Sequence, residues 1–303
     1  WDLRLMSEAY HIPVLLKESI DGMSIKPDGV YVDVTFGGGG HSREILSRLG
    51  EKGKLYAFDQ DQDAQDNAIE DKRFSLIQAN FRFIKRFLKL EGVKEVDAIL
   101  GDFGVSSHQF DEGERGFSIR FDAELDMRMD QQTGLSASEL INTYSEEQIS
   151  QLLWQYGEIK MSRKLAKAIV EKTLEKPIQS TSELNALLTP FFPPTKVNKF
   201  LAQVYQAIRI EVNQEMEALK EFLLKTPDLI KKGGRLSLIS YHSLEDRLVK
   251  RFIRDGKFAG APEKDFYGNM LVPFRKVGKL MTPTPTEMRQ NSRSRSAKLR
   301  IGE

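Results

Sequence analysis

The sequence of 303 residues contains no cysteine. Disulfide bonds, thiolate metal sites and cysteine nucleophiles are therefore all excluded. Also missing is any apolar run close to the ~18 residues that a membrane span needs, and the first residues lack the pattern of a secretory signal. Neither sign of charge is in excess, since the sequence contains 45 Lys and Arg and 44 Asp and Glu. We expect a soluble cytoplasmic protein whose net charge points to no particular partner.

Strands alternate with helices in the first third of the sequence. Apolar runs predict strands at 30–34, 55–59 and 96–100 and a weaker one at 74–77, and helical patterns separate them at 42–49, 64–69 and 81–90. This order is typical of right-handed βαβ units. We therefore predict an α/β fold built on a mostly parallel sheet.

The alternation is then interrupted by a helical region. Three capping boxes, in which a Ser and a Glu or Gln satisfy each other's backbone N–H groups, announce helices: Ser136 with Glu139, Ser145 with Gln148, and Ser180 with Glu183. A long amphipathic pattern covers 197–223, and a strand at 236–240 and a helix at 244–253 resume the α/β order. We expect a discontinuous domain at 1–112 and 205–303, with an inserted helical domain at 113–204.

Four consecutive glycines, at positions 37–40, join the first strand to its helix. Glycine lets the backbone approach a ligand closely, and a helix N-terminus offers free N–H groups. The P-loop string is absent, and a dinucleotide fingerprint would place its last glycine on Ser42 or Arg43, which disfavours a pyrophosphate. Asp59, at the end of the second strand, can accept the hydroxyls of a ribose, although a solvated strand-end acid is equally compatible. A nucleoside without phosphates fits best, and S-adenosylmethionine is our candidate.

Asp102 follows the third clear strand and should face the same crevice, because ligands of open α/β sheets lie beyond the carboxyl ends of the strands. Its alternative role is to cap the next helix. Phe81 ends the intervening strand and can flank an adenine ring, or it can be an ordinary core aromatic.

Several longer strings resemble one family in order along the chain. They are His11–Leu15, the glycine loop ending in His41, Asp102–Ser107, Arg115–Ser118, Leu125–Asp130, Gln206–Ile210 with Val212 and Asn213, Ser240–Arg247 and Arg293–Arg300. The sequence is similar to the bacterial small-subunit ribosomal RNA cytosine-N4 methyltransferases (MraW/RsmH type). Phe103 stands where that family usually has Leu, and Ser292 and Ser294 replace its Pro and Ala.

The resemblance implies a Rossmann-like class I methyltransferase fold with an inserted all-α domain for recognition of RNA. It implies transfer of a methyl group from S-adenosylmethionine to N4 of one cytidine in the decoding region of small-subunit rRNA, within the assembled 30S subunit. The implied cofactor contacts are Gly39, Gly40, His41, Asp59, Phe81, Asp102 and Gln109. We expect no metal among the site residues, no membrane partner, and a monomer or homodimer.

The chemistry of an amino group sets further requirements. The exocyclic nitrogen of cytosine is a poor nucleophile because its lone pair is delocalised, so an acceptor must hold its N–H bonds. The Pro-Pro-Tyr string of DNA amino-methyltransferases is absent, and Asp102 occupies the equivalent place. We take Asp102 and His242 as catalytic candidates, with a helix-capping or core role as the alternative for His242. Methylation at C5 of cytosine is excluded, because that route needs a Cys nucleophile.

The C-terminal segment is basic. Arg289, Arg293, Arg295, Lys298 and Arg300 are spaced so that an extended segment would place several on one face for contacts with RNA phosphates. Pro283 and Pro285 argue against a helix there. The alternative is a solvated edge strand.

Three other functions stay open from the sequence. The first is an S-adenosylmethionine enzyme that acts on DNA or on a small molecule, and the second is a non-catalytic RNA-binding factor in ribosome assembly. The third, a nicotinamide dehydrogenase, is disfavoured by Ser42 and Arg43. Ligand-induced changes in melting temperature and cofactor turnover separate these alternatives.

Overall fold

A computed structural model describes residues 13–105 and 113–303 of the chain. The chain divides into two compact units: one extends up to Gly104 and continues from Glu217, and the other runs from Val105 to Met216. The second unit covers more residues than the inserted segment predicted at 113–204, because it extends beyond that segment at both ends. No helix among the described residues combines the length and the apolar character needed to cross a bilayer.

Within residues 13–104 and 217–303, the first unit contains a seven-stranded sheet with flanking helices. Its elements are α1 (Leu16–Gly22), β1 (Val30–Asp33), α2 (Gly40–Arg48), β2 (Lys54–Asp59), β3 (Phe74–Gln78), α3 (Ile84–Leu90), β4 (Val96–Asp102), α9 (Glu215–Leu229), β5 (Ile230–Ser240), α10 (Ser243–Asp255), β6 (Lys276–Met281), α11 (Pro285–Gln290) and β7 (Lys298–Gly302). The boundary between the units falls within the first turn of α9, at residue 217. The strand order is β3-β2-β1-β4-β5-β7-β6. Strands β1 to β5 are parallel, and β7 is antiparallel to β5 and β6. The predicted mostly parallel α/β sheet is confirmed.

The topology determines where a ligand site can form. From β1 the chain continues to β2 on one side, and β4 pairs with β1 on the other side. The strand order therefore reverses at β1, and ligands of open α/β sheets bind at such a switch point. Asp33, Asp59 and Asp102 are the last residues of β1, β2 and β4. Three carboxylates thus come to one edge of the sheet.

Apolar side chains cover both faces of this sheet. Successive strand residues point to opposite faces, so Val32 packs with Ile84 of α3 and Phe222 of α9, whereas its neighbour Tyr31 packs with Ile45 of α2. These side chains are fully buried. Burial of each stabilises the fold by about 1.5–3 kcal/mol relative to exposure, which holds the strand ends in fixed positions.

The second unit is helical. Its elements are α4 (Ala137–Thr143), α5 (Glu146–Gln155), α6 (Ser162–Glu175), α7 (Thr181–Leu188) and α8 (Val197–Val212), and their apolar faces form one core. The three predicted capping boxes are all present, at the starts of α4, α5 and α7. Each satisfies two backbone donors that the first turn of a helix leaves without a partner.

The amphipathic pattern at 197–223 is divided between two helices. Helix α8 ends at Val212, and Gln214 has a left-handed φ of 49° before α9 begins. The reason lies in Asn213, whose side chain accepts a hydrogen bond from the N–H of Met129 (2.7 Å) and donates to the carbonyl of Met127 (2.8 Å). A partner that is distant in sequence thus ends a helix that the local pattern continues.

Two local predictions are wrong. The segment 64–69 is not an α-helix: a 3-10 helix spans Gln62–Asn67 instead. The prolines of the C-terminal segment do not prevent a helix, because α11 begins at Pro285, where the missing N–H has no intrahelical partner to lose, and Thr284 caps it by accepting from the N–H of Glu287. The basic segment is therefore a helix, a 3-10 turn at Ser292–Ser296 and the strand β7, and it is not one extended stretch.

Two glycines of the second unit test how strongly its backbone is constrained. Gly116 and Gly134 have φ of 74° and 78°, but a Cβ at 116 would lie 2.4 Å from the carbonyl oxygen of Glu124, whereas a Cβ at 134 would meet nothing within 4 Å. We expect Gly134→Ala to lower the free energy of unfolding by about 1–2 kcal/mol through backbone strain alone. Gly116→Ala should cost about 1–3 kcal/mol more, because the backbone at Glu124 must move. Urea denaturation of both variants measures the difference, and equal losses would contradict the predicted steric conflict.

Candidate active site

Asp33 anchors the start of the site. It is completely buried, and its carboxylate accepts hydrogen bonds from the Ser42 hydroxyl (2.7 Å) and the Thr35 N–H (3.1 Å). Burial raises the pKa of Asp33 to about 6, which the bond from Ser42 only partly offsets. Because Ser42 belongs to α2, Asp33 ties the end of β1 to the helix that follows the glycine loop.

The glycine loop between β1 and α2 is shaped by close contacts. Gly39 has a φ of 75°, and a Cβ there would lie 2.9 Å from the Phe36 ring; a Cβ at Gly40 would lie 2.2 Å from the ring of Pro13. A Cβ at Gly38 would meet nothing within 4 Å. Two of the glycines are thus required by the backbone and its packing, and the loop presents open space at Gly38 next to the N-terminus of α2.

Asp59 holds this loop in place. Its carboxylate accepts hydrogen bonds from the N–H groups of Gly37 (2.8 Å) and Asp61 (2.9 Å). Burial raises its pKa to about 6 despite these two bonds. The structure thus differs from a solvated strand-end acid. An ionised carboxylate has about four acceptor positions, so Asp59 keeps capacity for a further donor.

Asp102 is the most perturbed of the three carboxylates. One oxygen accepts a hydrogen bond from the Tyr241 hydroxyl (2.7 Å), and the other lies 3.8 Å from Nδ1 of His41. Its backbone N–H donates to the Thr35 hydroxyl (2.7 Å). Burial raises the pKa of Asp102 to about 7, and the bond from Tyr241 opposes that rise. Asp102 can therefore exchange a proton near neutral pH.

Tyr241 is a site residue that the sequence reasoning missed. It directly follows β5, its N–H donates to Glu245 (2.9 Å), and its ring packs on Gly104, where a Cβ would lie 3.1 Å from it. Burial, together with the charge of Asp102, raises the pKa of the Tyr241 phenol, so its hydroxyl remains a donor. Its place beside Ser240 at a strand end was the signal available in the sequence.

A family model described as the MraW methylase family matches residues 8–303. The chain belongs to the MraW methylase family. It is similar to proteins named ribosomal RNA small subunit methyltransferase H from Christiangramia forsetii, with 65% identity over 292 residues, and from Flavobacterium johnsoniae, with 60% identity over 294 residues. The alignments cover 96% and 97% of this chain, and 97% of each relative.

Membership in this methylase family confirms the resemblance seen in the sequence and the expected class I methyltransferase fold. A methylase of this fold takes its methyl group from S-adenosylmethionine, a cation at sulfur with a charged amino group. The site of this methylase fits such a ligand. Among the described residues, no Lys or Arg pairs with Asp33, Asp59 or Asp102. Asp33 is buried and the other two are partly exposed, so the three carboxylates leave a negative region that a positive ligand can neutralise.

His242 has a structural role in this methylase. Its ring caps α10: Nδ1 accepts from the N–H of Glu245 (3.4 Å), and Nε2 lies 3.0 Å from a Glu245 carboxylate oxygen. The geometry therefore matches the helix-capping alternative. The same capping box fixes Glu245, the group that accepts the N–H of Tyr241.

The other predicted residues fall into different environments. Phe81 is half-buried and packs against Phe103 and Phe222, with ring centroids 5.6 and 5.5 Å away, so it belongs to the edge of the core. Gln109 lies outside the described residues. Lys298 and Arg300 are engaged by Asp246, at 3.5 and 2.7 Å, whereas Arg289, Arg293 and Arg295 have exposed side chains.

The stabilising contribution of the Tyr241 hydroxyl should itself depend on pH, because Asp102 ionises as the pH rises. Asp102 has a folded pKa of about 7 and an ordinary value of 3.8, so the folded state binds more protons and loses stability as pH rises from about 4 to about 7. A hydrogen bond to a charged group contributes about 1.5–3 kcal/mol against about 1 for a neutral one. Tyr241→Phe should therefore reduce the free energy of unfolding by about 1 kcal/mol more at pH 8.5 than at pH 5.

Urea denaturation at the two pH values measures this difference. Tyr56→Phe is the matched control, because Tyr56 lies on β2 and no described contact joins it to Asp102. We expect its effect to be the same at both pH values. A Tyr241→Phe penalty that is independent of pH would show that the phenol does not stabilise the ionised carboxylate.

Proposed function

We propose that this methylase transfers a methyl group from S-adenosylmethionine to the exocyclic N4 of one cytidine in the decoding region of small-subunit rRNA, within the assembled 30S subunit. Support comes from the family and from relatives named as small-subunit rRNA methyltransferases. The single observation that carries the site is Asp102, which ends β4 beside the glycine loop and is held there by Tyr241.

The proposed cofactor contacts surround the carboxyl edge of the sheet. Gly39 and Gly40 shape the loop, and His41 stands in the first turn of α2, where its Nε2 approaches the carbonyl of Val14 (3.2 Å). In this proposal Asp59 accepts the ribose hydroxyls with the positions that its two backbone donors leave. Phe81 flanks the adenine with its exposed edge, and Gln109 completes the set that the resemblance implies.

The methyl group on the sulfonium of S-adenosylmethionine is electrophilic, so the task of the chain is to prepare the amine. The N4 nitrogen must have its N–H bonds held so that its lone pair faces the methyl group, and Asp102 offers a fixed carboxylate oxygen for this. When the new N–C bond forms, the amine must lose a proton. An acceptor with a pKa of about 7 takes up a proton and releases it again near neutral pH.

The groups around Asp102 act as positioning residues in this proposal. Tyr241 holds one carboxylate oxygen, and the box of His242 and Glu245 holds the backbone of Tyr241. His242 thus acts through Tyr241 and not on the substrate. Its first predicted role as a proton acceptor is less favoured, because Nδ1 already accepts from the N–H of Glu245 and Nε2 is buried.

RNA contact in this proposal uses the exposed cations of the C-terminal segment. Arg289 lies on α11, and Arg293 and Arg295 lie on the 3-10 turn that follows. Such side chains contact phosphates and position the substrate without reading its sequence. Arg300 and Lys298 instead neutralise Asp246, so we assign them to the stability of β7. The helical unit from Val105 to Met216 is proposed to take part in RNA recognition.

Asp102→Ala should abolish methylation. Unmodified small subunits are incubated with the enzyme and labelled cofactor, and nucleoside mass spectrometry of the rRNA measures N4-methylcytidine. Asp97→Asn is the matched control: Asp97 lies on the same strand, at the opposite edge of the sheet, and accepts from the N–H of Val30. The control should retain activity. Near-normal product from Asp102→Ala would contradict the site, and absence of N4-methylcytidine from the wild-type reaction would contradict the function.

Charge reversal should separate an RNA substrate from a small molecule. We expect the double variant Arg289→Glu with Arg295→Glu to lower kcat/KM on small subunits by at least about tenfold at moderate salt, and to make the log-log salt dependence less steep by about 2. Cofactor affinity should not change. Lys89→Glu with Lys94→Glu is the control, because both lysines are exposed near the start of β4, away from the site. Equal activity of the two double variants would favour a substrate other than nucleic acid.

A further inference from the structure

A turn between α10 and β6 presents two aromatic rings to solvent. Phe266 is 97% exposed and Tyr267 is 86% exposed, the highest values among the large apolar side chains described. Their ring centroids lie 5.6 Å apart, nearly perpendicular. We call Lys264–Met270, which an antiparallel bridge between its two ends closes, the aromatic turn. Neighbouring exposed aromatic side chains of this kind are a feature of interaction surfaces.

The aromatic turn is held in its open form by its own hydrogen bonds. The Asp265 carboxylate accepts from the N–H groups of Tyr267 (2.9 Å) and Asn269 (2.8 Å), and from the side chain of Asn269 (2.9 Å). The Asp265 carbonyl accepts from the N–H of Gly268, which has a φ of 83°. The rings are therefore held on an ordered backbone. Binding of a partner needs little further ordering of the turn, so the entropic cost of binding is small.

The segment of the chain that contains the aromatic turn carries a positive net charge. Residues 250–280 contain eight Lys and Arg and three acids: Lys250, Arg251, Arg254, Lys257, Lys264, Arg275, Lys276 and Lys279 against Asp255, Glu263 and Asp265. All three acids are already engaged. Asp255 pairs with Arg254, Glu263 pairs with Lys257, and Asp265 is used within the turn. Lys264, Arg275, Lys276 and Lys279 are exposed, so an anionic partner is favoured.

We infer that the aromatic turn binds an unpaired nucleotide of the rRNA substrate by stacking on Phe266 and Tyr267, while Lys264 of the turn and the exposed cations of the same segment contact phosphates. This inference rests on the proposed function. Every base has a face that an aromatic ring can cover, and proteins that bind single-stranded RNA combine such rings with a cationic surface. The exposed rings of the aromatic turn and the exposed cations of the same segment meet both requirements. Exposed Met270 and Leu271 continue the apolar surface, and association with a second copy of this chain is the competing outcome.

Binding of a single-stranded decoding-region RNA and of unmodified small subunits tests the inference. Phe266→Ala and Tyr267→Ala should each weaken binding by about fivefold to a hundredfold. Phe266→Leu with Tyr267→Leu keeps apolar area but removes the rings, and should bind as weakly as the double alanine variant. Tyr267→Phe keeps the ring and should bind as the wild type does. Leu90→Ala, at an exposed apolar residue of α3, is the control for removal of apolar surface.

Melting temperature and cofactor affinity should be unchanged in all of these variants, because the two rings are exposed and lie outside the proposed cofactor contacts. Wild-type affinity of the double leucine variant would overturn stacking. So would intact RNA binding together with a shift from dimer to monomer in sedimentation, which would assign the turn to self-association. RNA binding is measured without turnover, so failure of the wild type to form N4-methylcytidine would contradict the proposed function and leave the stacking result readable.

Discussion

The structure of the site depends on how three neighbouring carboxylates are kept beside each other. Asp33, Asp59 and Asp102 end adjacent strands of a parallel sheet, where burial disfavours their charged forms and raises each pKa to about 6 or 7. No Lys or Arg among the described residues compensates them by pairing. The hydrogen bonds that they accept from the described residues come from hydroxyl and backbone N–H groups, and the His41 ring lies 3.8 Å from Asp102. A positive ligand would lower all three pKa values, so binding and ionisation are thermodynamically coupled at this edge.

This constraint explains why the donors come from separate elements. Ser42 brings the start of α2 to Asp33, the N–H of Gly37 brings the glycine loop to Asp59, and Tyr241 brings the end of β5 to Asp102. Each bond joins a strand end to a different connection. The loops at the carboxyl edge are thus ordered by the same carboxylates that we propose as cofactor contacts. The helix cap of α10 extends this arrangement, because Glu245 fixes the residue that holds Asp102.

The parts of this arrangement that could be predicted from sequence are the local ones. Strand periodicity and the capping boxes depend on residues within a few positions, and the glycine loop is visible as a string. Tyr241 was not found, because its role depends on Asp102, 139 positions earlier in the chain. The end of α8 at Asn213 likewise depends on backbone groups 84 and 86 positions earlier. Helix α11 is different, because its signal is local: Thr284 accepts from the N–H of Glu287 three residues on, and the prediction from the prolines did not take this cap into account.

The basic C-terminal segment shows why residue type alone does not identify a nucleic-acid surface. Within β7 the alternation of a strand places Leu299 and Ile301 in the core and turns Lys298 and Arg300 to the opposite face, where Asp246 of α10 accepts them. Their charge is therefore used inside the protein. Outside β7, Arg289 of α11 and Arg295 of the 3-10 turn have exposed side chains. Secondary structure thus divides one arginine-rich string into a part that stabilises the fold and a part that lies at the surface, where we propose that it contacts RNA.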